Sequence, residues 1–300
     1  MNPKVYHRSH FNETKRMIER CTKLMQQTEN LQIKIPEASK DAFYGLVYYP
    51  AVAGMNLQLM SLHAALANWY AEYELSVANT YDALVKEEIE RDQKLTDYYN
   101  KEMTGGKWDG MMLSPHACFV TWNDEGWHYP ETKTICINTM SRMMIHAEND
   151  EMFVSGGTIC LPEFTEIGGE TCEIELANAG AVAYDFKVQA EPGICVSQTE
   201  GTVSNDIVTL QVTIAKKEHK SFERTITITA GNQKVNVKVR FKAAVNVPEG
   251  TFIERDGMVS IEVAHYTEKA AFEGYDFKEL EGYGKTLSSM KIYPCDRNFD

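Results

Sequence analysis

Between Gly105 and Trp127 the chain gathers Lys107, Trp108, Asp109, His116, Trp122 and Trp127, which include three of its four tryptophans. An ammonium, a carboxylate and an imidazole among indole rings are groups that could hold a polar ligand. The charged donors would meet an anion, and the rings would cover an apolar face. The same residues also suit a structural clamp. Gly105-Gly106 can end a helix in the left-handed backbone of a C-terminal cap, so that Trp108 folds back against the preceding helix. Buried there, Lys107 and Asp109 would need polar partners. Pro115 holds Ser114 near an extended conformation and aims His116. Composition alone favours the structural use, since a large ring after a helix stop usually fills a joint between two units.

Arrangements that would specify a reaction are absent from the sequence. There is no G-x-S-x-G, no phosphate-binding glycine loop and no H-E-x-x-H. The seven cysteines, Cys21, Cys118, Cys136, Cys160, Cys172, Cys195 and Cys295, contain no Cys-x-x-Cys and read as buried free thiols. No catalytic residue, metal ligand or cofactor is assigned. Glu87, Glu88, Glu90, Arg91, Asp92 and Lys94 read as the solvated outer face of a helix. His63, in an apolar stretch, reads as a core histidine. A net charge of −13 with no basic face argues against nucleic acid and against an anionic membrane. No run of about 18 apolar residues marks a membrane span, and the first residues lack the apolar core of a signal peptide.

The elements that must carry these residues change period midway. Phe11, Ile18, Cys21, Leu24, Met25 and Leu31 form one stripe of a helix over 10–31, with Ser9 or Asn12 as cap. A second helix follows Pro36, is kinked or divided at Pro50, and continues from Ala51 to Glu74 almost without charge, as a bundle centre would. A third runs from Ser76 to Met103, its inner face formed by Val77, Tyr81, Leu84, Leu95 and Tyr98. Thr134–Asn138 reads as a short strand and Met140–His146 as a helical turn. Beyond Glu151 the period is two, in Thr171–Leu176, Tyr184–Val188, Ile207–Ile214, Arg224–Thr229 and Lys234–Phe241, with Gly231-Asn232 as a hairpin turn. Met258–Ala264 reads as a further strand. The expected fold is a multidomain α+β chain: an N-terminal antiparallel α-helical bundle followed by an all-β immunoglobulin-like sandwich. The expected domains are 1–147, 148–246 and 247–300, the last the start of an incomplete β domain.

Several strings resemble glycoside hydrolase family 115, the xylan α-1,2-glucuronidases. They are Asp41–Pro50, Ala78-Asn79, Tyr98–Asn100, Gly105-Gly-Lys-Trp-Asp-Gly-Met-Met112, His116 and Phe119-x-x-Trp122, then Val259–Tyr266 and Gly282–Ser288, in family order. The resemblance implies an inverting enzyme that removes 4-O-methyl-glucuronic acid from xylan. Its catalytic carboxylates would belong to a (β/α)₈ barrel preceding the helical domain, with the active site on the barrel's βα-loop face. This chain would then be a fragment lacking the barrel and inactive alone. Lys107, Trp108, Asp109, His116 and Trp122 would line the edge of the substrate pocket, where Lys107 or His116 could meet a carboxylate. The implied partners are glucuronoxylan or its oligosaccharides, the barrel, and a second copy of the chain. The full enzyme would be periplasmic or secreted. The family usually continues Gly-Tyr-x-x-Trp where this chain has Ala117-Cys118-Phe119-Val120-Thr121-Trp122.

Two further expectations concern surfaces. The β half would bind glycans if Tyr184, Phe222, Tyr275 and Tyr283 presented exposed rings, although core or edge packing is the commoner use of such residues. The apolar helix Ala51–Tyr73 carries more apolar surface than a three-helix bundle needs, so either the missing barrel or a second copy of the chain should cover it.

Overall fold

The computed structural model describes residues 6–117, 128–166, 171–215, 219–243, 248, 250–254, 259–283 and 288–297. Two compact units, 1–243 and 244–300, account for the chain. The first unit contains helices and a sandwich, as the change of period implies.

Helix α1, Glu13–Gln32, buries Thr14, Cys21, Met25 and Thr28 on one stripe. Its start is not capped by Ser9 or Asn12, whose side chains make no cap bond. The imidazole Nδ1 of His7 instead accepts the backbone N–H groups of Ser9 and His10, at 3.3 and 3.0 Å. After the short turn α2, Lys40–Phe43, the chain widens into a π turn over Tyr44–Tyr48 and runs on as α3, Tyr49–Glu72. Pro50 therefore does not divide the helix. The π turn lets Tyr49 N–H bond to Tyr44, and the missing N–H of Pro50 falls in the first turn of α3, where no partner is required. Tyr73–Ser76 links α3 to α4, Val77–Asp97, too short a link for anything but a reversal of direction. A second π turn, Tyr98–Glu102, ends α4. Thr104, Gly105 and Gly106 then take left-handed backbone, and a Cβ on Gly106 would meet the carbonyl of Lys101 at 3.0 Å.

Two sheets form the sandwich. In the first, β1 (Met143–Ala147), β4 (Cys172–Asn178), β8 (Val208–Ile214) and β6 (Ile194–Val196) lie in the order β1-β4-β8-β6, all antiparallel. In the second, β2 (Gly157–Cys160), β10 (Gln233–Lys242), β9 (Phe222–Ala230), β5 (Tyr184–Ala190) and β7 (Glu200–Val203) follow the order β2-β10-β9-β5-β7. Here β2 and the short β3 (Phe164–Thr165) pair parallel to β10. Inward residues of both sheets, among them Ile145, Ile174, Leu210, Phe186, Ile226, Ile228, Val235 and Val237, make one core. Gly231 takes positive φ in the β9–β10 hairpin. Gly180 has no substitute, because an added Cβ would overlap the carbonyl of Met140 at 1.6 Å.

Met140–His146 is not a helical turn, since Met143 to Ala147 form β1, paired with β4. The strand was hidden because all five of its residues are buried, which removes the alternation that marks a strand. One face of the β1-β4 pair joins the sandwich core. The other places Met144, Ala177 and Ala179 against Leu66, Trp69 and Tyr70 of α3. The first unit thus has three layers, helices over one sheet over another. The excess apolar surface of α3 from Leu66 onward is covered by the chain's own sandwich. Thr134–Asn138 forms no strand.

In the second unit β11, Asp276–Glu281, pairs with β12, Ser288–Tyr293. The expected strand over 258–264 is corrected: residues 259–262 are irregular and Val263–His265 make a 3₁₀ turn. Val259, Ile261 and Val263 do alternate, but they are exposed and pair with no strand.

Candidate functional site

Helix α4 carries buried acids, two of which, Glu88 and Asp92, belong to the face read as solvated. Asp82, Glu88 and Asp92 are each less than a tenth exposed and lie on the inner side of the helix with Val85 and Leu95. Each has partners. Lys86 Nζ donates to Asp82 at 2.8 Å and Thr134 Oγ1 at 2.9 Å, and Thr132 bonds the same carboxylate. Burial pushes the Asp82 carboxyl up, but these donors outweigh it and hold it below the usual carboxylate range. Glu88 meets His63 Nδ1 at 2.7 Å, deep between α3 and α4, so His63 is a satisfied core histidine.

Asp92 makes the arrangement nearest to a site. His116 Nδ1 lies 2.9 and 3.2 Å from its two oxygens, and Tyr129 donates its hydroxyl at 2.9 Å. The hydrogen bond to Asp92 raises the pKa of His116 against the opposing effect of burial. Burial, then the charge of Asp92, pushes Tyr129 up to about 12. These groups open onto a cleft of about 470 Å³ that Gln93, Asp97, Leu113 and Pro115 also line. A fixed carboxylate, a chargeable imidazole and an apolar rim can take hydrogen bonds from a polar ligand and cover part of its apolar surface.

The described residues on either side, up to 117 and from 128, that carry His116 and Tyr129 have little regular structure and are held by side-chain amides. Asn100 Nδ2 donates to Met112 O and Asn100 Oδ1 accepts from Met112 N, at 3.1 and 2.9 Å. Asn79 makes the same reciprocal pair with Ile135, and Asn68 bonds Glu131 O and Lys133 N. The three asparagines act as strand partners for a segment that has none.

Of the candidate site residues that are described, the structure brings only His116 into this site. Lys107, Trp108 and Asp109 lie on an exposed turn. Trp108 is 38% exposed, with the Lys107 ammonium 4.9 Å from its ring centre, so it does not fold into a buried joint. The turn itself explains this, because Gly106, Asp109 and Met111 close it by local backbone bonds that direct the indole outward. Trp122 and Trp127 lie outside the described residues. Trp108→Ala is accordingly expected to shift stability by no more than about 1 kcal/mol, as an exposed ring does, in place of the roughly 3–5 kcal/mol of a core tryptophan. A chemical-denaturation midpoint well below wild type would show that the ring is buried after all.

Other candidates resolve differently. Tyr184 is buried in the sandwich and donates its hydroxyl to Ala177 O at 2.9 Å, so it offers no face to a glycan. Phe222 packs on Phe241 under Arg224, while Tyr283 is exposed. The cysteines are not uniformly buried: Cys21 and Cys172 are, whereas Cys136, Cys160, Cys195 and Cys295 are exposed. Cys118 lies outside the described residues. His7, His10 and Glu151 place one potential metal-ligand atom each within 4.8 Å of one another. However, His7 Nδ1 already accepts two backbone N–H groups, which puts the proton of the neutral ring on Nε2. That geometry suits the start of a helix better than a metal ion. Among the described residues no helix is long and apolar enough to cross a membrane.

Comparison with known proteins bears first on the second unit. Residues 251–300 match the family model for the glycosyl hydrolase family 115 C-terminal domain. This supports the C-terminal portion of a glycoside hydrolase for that segment. No curated protein matches the sequence. Among solved structures, the chain is similar to the ASH/PapD-like domain 7 of human CEP192, at 14% identity, over 40% of this chain and 97% of that one, with a TM-score of 0.25. It is also similar to WR4, a C. elegans MSP family member, at 14% identity, 29% and 92% coverage and a TM-score of 0.21. Domains 4 and 5 of the S-layer protein SbsC give 16% identity, 39% and 62% coverage and a TM-score of 0.23.

Proposed function

We propose that this chain is the non-catalytic C-terminal portion of a xylan α-1,2-glucuronidase of the family 115 type. The observation that carries the reading is the match of residues 251–300 to that family's C-terminal domain. The motif strings from Asp41 to His116, which resemble the same family in the same order, extend it to the helical region. In this reading the catalytic carboxylates sit on a barrel that precedes the helices, and the bundle and sandwich form a rigid platform beside it. The loop carrying Lys107, Trp108, Asp109 and His116, with Trp122 further on, faces the barrel at the edge of the substrate cleft. Glucuronoxylan or its oligosaccharides are the substrate of the whole enzyme, which acts in the periplasm or outside the cell, as a homodimer.

Exposed Trp108 and Lys107 suit such a docking turn better than they suit a core. The purified 300-residue chain is expected to release no 4-O-methyl-glucuronic acid from aldouronic acids. Joined to an upstream segment of strand–helix repeats from the same reading frame, it is expected to do so. Turnover by the isolated chain, or a joined protein without glucuronidase activity, overturns the proposal.

A further inference from the structure

We infer that the cleft beside Asp92, His116 and Tyr129 is a subsite for an uncharged sugar ring and not for a sugar acid. The inference rests on the glycoside-hydrolase reading above and narrows what this cleft recognises. Its volume of about 470 Å³ is in the range of small-ligand sites and suits one or two pyranose rings. Leu113, Met112 and Pro115 supply apolar surface for the C–H face of a ring. The polar lining is fixed before any ligand arrives. His116 and Tyr129 hold both oxygens of Asp92, at 2.9 to 3.2 Å, which leaves lone pairs to accept from hydroxyl groups without moving the side chain. Asp97, anchored by Lys101 at 2.7 Å, adds a second acceptor at the rim.

The charge of the cleft decides between ligands. Among the described residues the one lining group that can become a cation, His116, is already committed to Asp92, and a protonated His116 with Asp92 sums to zero. Asp97 is offset by Lys101, so the cleft carries no net charge while His116 is protonated and becomes net negative once His116 is neutral. Lys107, which the sequence offered as a partner for a carboxylate, does not line the cleft and has its ammonium over Trp108. Above the pKa of His116 a ligand carboxylate would thus be desolvated beside like charge, with Lys101 already committed to Asp97. A neutral ring meets no such penalty.

The test is a ¹H–¹⁵N NMR titration of the 300-residue chain with xylotriose and, separately, with glucuronic acid, above and below the raised pKa of His116. Xylotriose is expected to shift the amides of Gln93, Leu113 and His116 with millimolar affinity that does not depend on pH. Glucuronic acid is expected to bind about tenfold more weakly above the raised pKa of His116, one like-charge contact being worth that much, and to gain as the pH falls through it and His116 protonates. Gln93→Ala, at an exposed position that cannot unfold the chain, should weaken xylotriose by about threefold, the share of a single exposed hydrogen bond. His116→Gln should abolish the pH response of glucuronic acid. Equal or tighter binding of glucuronic acid above the pKa of His116, or no xylotriose shifts at these residues, overturns the inference. Neither result touches the family reading, which stands or falls on glucuronidase turnover by the barrel-bearing protein.

Discussion

Replacing Glu175 with alanine is expected to destabilise the protein by about 3–5 kcal/mol, the cost of breaking a buried ion pair from one side. Glu175 lies on β4, on the sheet face turned toward the helices, and is almost wholly buried. Its carboxylate accepts from His146 Nδ1 of β1 at 3.0 Å and meets Lys15 Nζ of α1 at 2.6 Å. His146 Nε2 reaches Asp150 O at 2.9 Å, and Lys15 also bonds Glu173 at 2.7 Å. Burial would raise the Glu175 carboxyl, but the hydrogen bond from His146 and the charges of Lys15 and His146 overcome it and bring it down to about 2. Truncation would leave the buried His146 without its acceptor and Lys15 with Glu173 alone. Because the folded pKa is depressed, the contribution is fully present above the ordinary carboxylate range. It is lost as the pH falls from about 4.5 toward 2, and amounts to about 3 kcal/mol in all. Urea denaturation of wild type and Glu175→Ala at neutral pH and near pH 3 (roughly midway through that window) checks both statements. A variant as stable as wild type at neutral pH, or a gap between the two that does not narrow in acid, would sink the account.

The second large effect belongs to Trp69, the tryptophan outside the Gly105–Trp127 stretch. Trp69→Ala should cost roughly 3–5 kcal/mol, as a large ring removed from a core does. The ring is 2% exposed and packs at 5.2 to 5.3 Å, centre to centre, from Tyr70, His146 and Phe153, with the Arg8 guanidinium 5.3 Å from its centre. Its neighbours come from α3, β1 and the loop after it, so it fills the joint between bundle and sandwich. The cavity would loosen both sides, and the helices and sandwich should still melt in one transition, at a lower temperature. Calorimetry that resolved two transitions, with one near the wild-type temperature, would show that the two halves fold independently and that the joint is a mere contact.

How much of this was legible follows from where each residue's environment comes from. The stripe Cys21, Met25 and Thr28 and the alternation of Val235, Val237, Val239 and Phe241 are local patterns, since one side of each element meets the core. β1 could not be read because the helices cover its outer face, so its burial is uniform. Glu88 and Asp92 misled for the opposite reason. A charged residue on a helix ordinarily signals solvent, and only partners 25 and 24 residues away, His63 and His116, make burial tolerable. Aromatic content drew attention to Trp108, yet an exposed indole and a buried one are the same letter. Tyr129 gave no signal, and Asn100 entered only as the end of the Tyr98–Asn100 string, because their roles exist only once the loop lies along α4.

The two π turns have a consequence for how chains of this kind can change length. Each holds one residue more than an α-helical turn, so each is a place where a single residue can be removed without breaking the backbone hydrogen-bond ladder. Deletion within Tyr44–Tyr48 would leave α3 seated and rotate everything upstream by about 100°. That rotation would part Asp41 from the Thr104 amide it accepts at 3.0 Å, and Tyr44 from Tyr98, whose rings lie 4.5 Å apart. The turns face each other through these contacts, so an indel in one is compatible with the fold only when the other changes with it. In a set of related sequences, gaps at 44–48 and 98–102 should occur in the same members.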